Sequence, residues 1–242
     1  MTVNHAHPTR TILITGASRG IGKGIVDHFA ERGWNVIALS RKPQTHEERP
    51  NVRHLAIDVA DTESVNRAFD VIAETTPHID VAANCAGMFQ KGEIGALDLA
   101  EIEALLNTNI TGTLRCMQRE LRMMSSGSLI VNFGSVVGGH NALPGLSTYG
   151  ASKAAVEVIT KTVAKEVAPE GIRVNALSLG AIHTDMVYAF GGTTTEIAPE
   201  AIPPLGRIGT VNEVASTVEW LASDGGGYAT GSIIILDGGV TP

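Results

Sequence analysis

Apolar residues along this chain gather in short runs bounded by turn-forming residues. They are TILIT (11–15), NVIALS (35–40), VRHLAI (52–57), IDVAAN (79–84), SLIVNFGS (128–135), IRVNALS (172–178) and SIIIL (232–236). Most lack a strict apolar–polar alternation. Such runs read as strands buried on both faces, the mark of a parallel sheet. Between them lie stretches with helical spacing near 21–32, 62–75, 99–123, 148–167 and 212–222. Strand, helix, strand, helix predicts βαβ units with right-handed crossovers. The pattern therefore predicts one α/β domain over 1–242, a doubly wound parallel sheet of seven strands with helices on both faces. No internal repeat or linker divides it. Residues 1–9 read as a frayed end. Residues 186–204, rich in Gly and Pro, read as a mobile connection beside a substrate.

Composition narrows the class. The chain has 242 residues, 43% hydrophobic and 18% charged, enough for a large core. Its formal net charge is −7 and it has no basic block, which argues against nucleic acid. No run of 18 apolar residues predicts a membrane span, and the N-terminus lacks the apolar stretch of a signal peptide. Cys85 and Cys116 form no CxxC pair and read as buried thiols in a reducing, cytoplasmic setting. The eight histidines show no ligand spacing, so no metal is expected.

The first strand runs into TGASRGIG (15–22), which opens the first helix. A glycine-rich turn here presents N–H groups to an anion at the positive end of the helix dipole. Gly16, Gly20 and Gly22 permit close backbone approach, with Ser18, Arg19 and Ile21 between them. The second strand ends in Ser40-Arg41. An acidic residue there holds a ribose 2′-OH, whereas an arginine suits a 2′-phosphate. Arg41, helped by Arg19, therefore favours NADP(H) over NAD(H). Asp58-Val59, after the third strand, is placed to meet the adenine, although Asp58 serves equally as a helix cap. NCAG (84–87) brings Asn84, Ala86 and Gly87 to the carboxyl edge, where a cofactor lies across the sheet.

The stretch STYGASKAAV (147–156) sets Tyr149 and Lys153 one helical turn apart on the same face. Each alone reads as an ordinary core tyrosine or solvated lysine. A phenol with a pKa near ~10 is a poor proton donor at neutral pH. A positive charge about 4 Å away, at an effective dielectric of about 20, is worth about 4 kcal/mol. At about 1.4 kcal/mol per tenfold, that lowers the phenol's pKa by up to about 3. The pair thus predicts an activated phenol.

These motifs together resemble the classical short-chain dehydrogenase/reductase family over almost the whole chain. Its TGxxxGxG loop matches Thr15, Gly16, Gly20 and Gly22. Its NNAG motif matches Asn84, Ala86 and Gly87, with Cys85 in second place. Its catalytic asparagine, serine and YxxxK pair match Asn109, Ser135, Tyr149 and Lys153. The resemblance implies a Rossmann-type fold and an oxidoreductase in which Tyr149 exchanges a proton and Ser135 orients the oxygen. It also implies that Lys153 and Tyr149 meet the nicotinamide ribose, that Asn109 supports a water chain, and that Gly180, Ile182 and Thr184 face the carboxamide. Two departures stand out. Ser135 and Tyr149 are 14 positions apart where many members have 13, and Leu179-Gly180 replaces the usual Pro-Gly. The extra residue is expected to reshape the loop without displacing Ser135.

Within the family the chain looks nearest to 3-oxoacyl-carrier-protein reductases. MMSSGSL (123–129) and Glu170 stand where basic residues would dock an acidic carrier, though Arg115, Arg119 and Arg122 offer a patch. A free small-molecule carbonyl or alcohol is therefore favoured, in a pocket lined by His140, Leu143, Met186, Tyr188 and Phe190. His140 reads equally as a plain loop residue. The alternatives are a carrier-bound acyl substrate, an oxidative dihydrodiol or sugar-alcohol dehydrogenase, and a non-catalytic NADPH sensor. The resemblance also implies a homotetramer built on the helices near 99–123 and 148–167 and the last strand.

Overall fold

The computed structural model describes residues 10–43, 49–188 and 203–241, with only the main chain at Tyr188. Seven parallel strands form one sheet: β1 (Thr11–Thr15), β2 (Asn35–Ser40), β3 (Val52–Ala56), β4 (Val81–Asn84), β5 (Leu129–Ser135), β6 (Arg173–Leu179) and β7 (Ile233–Leu236). Their order is β3-β2-β1-β4-β5-β6-β7. The chain winds outward one way from β1 and the other way from β4. That reversal opens a crevice at the carboxyl ends of β1 and β4, where ligands bind in such sheets.

The unbroken apolar run of β1 has a direct cause. Ile12 and Ile14 face α1 (Gly20–Glu31) and α7 (Val211–Ala222), packing with Ile25, Phe29, Val214, Val218 and Leu221. Leu13, between them, faces the other way. It joins Val65, Phe69 and Ile72 of α2 (Thr62–Ala73), Met117 of α4 (Thr113–Leu121) and Val167 of α5 (Ser147–Val167). Both faces are covered, so polar alternation has no place. Each side chain so buried contributes about 1.5–3 kcal/mol.

Helix starts follow cap chemistry. Asp61 accepts hydrogen bonds from the N–H groups of Glu63 (2.9 Å) and Ser64 (3.3 Å) to open α2. Asp98 opens α3 (Leu99–Leu106) by accepting from Ala100 N–H at 2.8 Å. Thr210 and Glu213 form a reciprocal capping box at α7. One element departs from the sequence pattern. The stretch expected as a single helix over 99–123 is broken by a π-helical segment, Asn107–Gly112, between α3 and α4. Such bulges cluster at functional sites, and this one carries Asn109. No helix among the described residues is long and apolar enough to cross a membrane.

Candidate active site

The glycine loop sits where β1 meets α1. Gly16 (φ 68°) and Gly20 (φ 54°) adopt left-handed conformations that favour glycine. A Cβ on Gly16 would lie 2.8 Å from Ala86 N, and one on Gly22 only 2.3 Å from the Gly16 carbonyl oxygen. The loop therefore packs backbone to backbone against the 85–87 turn. The Ala86 N–H donates to Thr15 Oγ1 at 3.1 Å and reinforces that contact. Arg19, the residue before α1, caps none of its N–H groups, and the first turn holds no acidic side chain. An open, positive helix start beside a glycine cradle fits a pyrophosphate. Ser18 and Ile21 complete the loop. Thr184 packs over Gly20, its Cγ2 3.5 Å from where a Cβ would stand.

The adenosine corner lies next to this loop. Ala17 N–H donates to the Leu39 carbonyl at 3.0 Å, tying the loop to the end of β2. Ser40 Oγ turns back to the Lys42 carbonyl (3.0 Å), and Arg41 stands exposed. Asp58 accepts from Ala60 N–H at 3.0 Å, forming its own turn, and Asp61 is the true cap of α2. Val59 is buried under the π segment, where a Cβ on Gly112 would lie 2.9 Å from it. Asn84 ends β4 at the carboxyl edge. Its amide points inward, donating to Glu120 Oε2 and Asn132 Oδ1, each at 3.1 Å. It offers the carboxyl edge only its main chain.

The polar cluster is assembled by close packing on α5. A Cβ on Gly138 would stand 2.8 Å from Ala154 N, and one on Gly150 2.6 Å from the Val137 carbonyl oxygen. The short turn after β5 (Val136–Gly138) thus lies directly on α5. The Ser135 hydroxyl donates to the Leu179 carbonyl oxygen at 3.3 Å and stands close enough to the Tyr149 hydroxyl to influence its ionisation. Lys153 Nζ donates to the Phe133 carbonyl (2.8 Å) and sits 5.7 Å from the Tyr149 ring centre. Phe89 packs edge-on against that ring at 5.1 Å. Asn109 accepts from Met88 N–H (2.7 Å) and donates to the Met88 carbonyl (2.9 Å) and to Ser152 Oγ (3.0 Å). Gly87 stands beside both Asn109 Oδ1 and Lys153 Nζ. Gly180 packs on Asp237, and Ile182 is buried in a one-residue bridge with Gly209.

The electrostatics reverse one expectation. Tyr149 is not lowered: burial pushes its phenol up to about 12, with Ser135 opposing through its hydrogen bond. Lys153 is itself desolvated and brought down to about 8, with Cys85 pulling the other way. A positive charge beside a solvated phenol would lower it, but here the phenol is buried and loss of solvent outweighs the charge.

Around the cluster, His140 is exposed and pairs through Nε2 with Glu157 Oε2 at 3.2 Å, pinning the substrate loop to α5. Leu143 and Met186 are exposed, and Tyr188 ends the short helix α6 (Asp185–Tyr188). Phe190 lies outside the described residues, as does most of 186–204. Sequence reasoning missed Phe89, Ser152, Glu157 and Glu120. For Glu120 a signal existed, since it shares a buried helical face with Cys116 and Met117. Arg115 and Arg119 are engaged with Val59, Thr62, Asn107, Asn66 and Asp70. Both cysteines are free thiols. Among the described residues, no cluster of three or more His, Cys, Asp or Glu side chains could hold a metal.

A phosphate cradle at a topological switch point, facing a Ser–Tyr–Lys cluster, defines a nicotinamide-dependent oxidoreductase. The comparisons with known proteins make this specific. Residues 16–241 match the family described as enoyl-(acyl carrier protein) reductase. The chain is 37% identical over 239 residues to carbonyl reductase family member 4 of Danio rerio, covering 96% of this chain and 98% of that protein. It is 34% identical over 238 residues to the 3-oxoacyl-[acyl-carrier-protein] reductase FabG of Vibrio cholerae, covering 96% and 97%. A short-chain dehydrogenase from Burkholderia cenocepacia, solved in complex with NADP, superposes with a TM-score of 0.85 at 31% identity, covering 95% and 97%. The chain belongs to the short-chain dehydrogenase/reductase family and is an oxidoreductase acting on CH–OH or C=O groups.

Proposed function

We propose that this protein reduces a small ketone to a secondary alcohol with NADPH, Tyr149 acting as general acid. The observation that carries this reading is the grouping of Ser135, Tyr149 and Lys153 within one crevice beside the glycine cradle. When bound, the reduced nicotinamide supplies the hydride. Ser135 orients the substrate oxygen and stabilises charge developing on it. Tyr149, protonated throughout the physiological range, gives its proton to that oxygen. Lys153 holds the nicotinamide ribose, and as a cation it favours the phenolate left behind. Asn109, braced by Met88 and Ser152, supports the path by which the proton is returned.

Gly16, Ser18, Arg19, Gly20, Ile21 and Gly22 would hold the pyrophosphate, with Ser40, Arg41, Asp58 and Val59 at the adenosine. The 84–87 main chain, Gly180, Ile182 and Thr184 would flank the nicotinamide. Arg41 supports NADP(H) over NAD(H). The engagement of Arg115 and Arg119 supports a free carbonyl over a carrier-bound one. Exposed Leu114 and Val158, on α4 and α5, and exposed Ile235, on β7, support the homotetramer. Its setting is proposed to be the cytoplasm.

The test follows nicotinamide absorbance with NADPH and NADH across ketones and β-keto thioesters, with Tyr149→Phe alongside. Consumption of NADPH by the native chain alone is the expected result. Binding of NADPH without turnover of any compound would overturn the reductase reading in favour of a sensor. Sedimentation of a monomer would overturn the tetramer.

A further inference from the structure

Beneath the candidate site lies a closed polar network that the reaction does not use. Glu120, on α4, is fully buried. The Thr160 hydroxyl gives its proton to the Val156 carbonyl at 2.8 Å, so it must accept from Asn132 Nδ2 at 2.9 Å. That fixes the Asn132 amide, whose Nδ2 also faces Met117 Sδ at 3.6 Å and whose Oδ1 needs a donor. Asn84 Nδ2 provides it at 3.1 Å and gives its second N–H to Glu120 Oε2, also at 3.1 Å. Both protons of that amide are then in use.

Two oxygens remain, Asn84 Oδ1 and Glu120 Oε1. Both are buried and neither has a donor. The basic side chains of α4 nearest in sequence are turned elsewhere: Arg119 pairs with Asp70, and Arg115 with the Val59 carbonyl and Asn107. An ionised Glu120 would be a buried carboxylate without a counter-charge beside an acceptor without a donor, an arrangement that is strongly unfavourable. A single proton on Glu120 Oε1 resolves both vacancies of hydrogen bonding at once.

We infer that Glu120 is held as a neutral carboxylic acid that donates to Asn84 Oδ1, closing an acid–amide pair that positions the end of β4. Asn84 is the last residue of that strand, and the Cys85–Gly87 turn follows it. That turn packs on Gly16 and borders Lys153 Nζ and Asn109 Oδ1. Glu120 is therefore a positioning residue for the cofactor turn, a role that rests on the cofactor reading above. Burial raises its carboxyl to about 8, in keeping with a proton retained at neutral pH. Cys116, one turn earlier on α4, is the titratable neighbour, and its thiol is pushed up by burial and by Glu120. The other groups facing Glu120, from β4, β5 and α5, are the uncharged Asn84, Asn132 and Thr160.

Infrared spectroscopy in deuterated buffer reads the proton directly. The native chain is expected to show a protonated-carboxyl band at neutral pH that fades as pH rises past about 8 and is missing in Glu120→Gln. Glutamine preserves both the donor and the acceptor and cannot ionise. The thermal stability of the native chain should therefore fall relative to that of Glu120→Gln as pH rises from about 4.5 to about 8, because the folded acid holds a proton that the unfolded one releases. NADPH affinity supplies the positioning readout. Lys153 titrates near the turn in both proteins, so the measure is their difference. Between about pH 6.5 and about pH 9, native affinity should fall about tenfold more than that of Glu120→Gln. Glu120→Ala should weaken NADPH at every pH, and where it does not fold, Glu120→Gln carries the test. A band missing from the native chain at neutral pH, or stability profiles that coincide, would overturn the neutral acid. Matching affinity profiles with the band present would overturn the positioning role. NADPH binding by neither protein would sink the cofactor reading, and the infrared result would still decide the state of Glu120.

Discussion

On the β1 side of the crevice, the binding surface is main chain. Gly16 and Gly22 bring backbone within contact of backbone, the α1 start presents uncapped N–H groups, and Asn84 turns its side chain away. On the β5 side, the surface is side chain: Ser135, Tyr149 and Lys153 converge from a strand end and one helix, in a space where each is desolvated. A main-chain site depends on shape, and its requirement is local, a glycine wherever a Cβ would collide. A side-chain site depends on the environment each group makes for the others. The two sides should therefore fail differently when altered.

The largest effect is expected from Tyr149→Phe. Loss of a positioned general acid should lower turnover by about 10²–10⁴-fold. NADPH binding should change little, because the phenol ring and its contact with Phe89 survive. Stopped-flow turnover and fluorescence titration on one preparation check both halves. A parallel loss of binding would show that the phenol hydroxyl, and not Lys153 alone, holds the cofactor.

Gly22→Ala should do the reverse. Its Cβ would fall 2.3 Å from the Gly16 carbonyl, with backbone on both sides and no flexible side chain to yield. The loop must shift, and strain of about 1–3 kcal/mol would weaken NADPH about 5–150-fold. Turnover at saturating cofactor should hold. Isothermal titration calorimetry with saturation kinetics tests this, and an unchanged dissociation constant would sink the shape argument.

The same division explains what could be read in advance. The ends of β1 and β2 follow from apolar runs and turn residues, and the glycine loop from spacing, because both are local in sequence. Ser135, Tyr149 and Lys153 are nameable as a set for the same reason. The Tyr149 shift is not legible, since its direction depends on how deeply Phe89, Ser135 and Lys153 enclose the phenol. The π segment at Asn107–Gly112 escaped because one widened turn barely disturbs a helical apolar pattern. The inward amide of Asn84 required knowing that Glu120 and Asn132 lie beneath it, 36 and 48 residues away in sequence.

The pH profile sharpens the contrast further. Tyr149, raised to about 12, stays protonated and contributes no step near neutrality. Lys153, lowered to about 8, is a cation below that pH and neutral above it. In a Glu120→Gln background, which removes the other group titrating near there, kcat/KM for NADPH should fall by up to about tenfold per pH unit above about 8. A profile flat to about pH 9 would mean that the charge of Lys153 plays no part.

The smallest effect belongs to Arg41, and it returns to the β1 side, where one part of the proposed surface is a side chain after all. Arg41 is exposed at the end of β2, so solvent screens whatever it pairs with. A screened guanidinium–phosphate contact is worth about 1 kcal/mol, and Arg41→Ala should raise the NADPH dissociation constant about fivefold. NADH, which carries no 2′-phosphate, should bind the variant and the native chain alike. The native preference should also shrink with added salt, whereas that of Arg41→Ala should not. Equal losses for NADPH and NADH would assign Arg41 to the shape of the loop rather than to phosphate recognition. Arg19, exposed in the glycine loop that the Ala17–Leu39 hydrogen bond ties to the same corner, would then be the residue to test for cofactor choice.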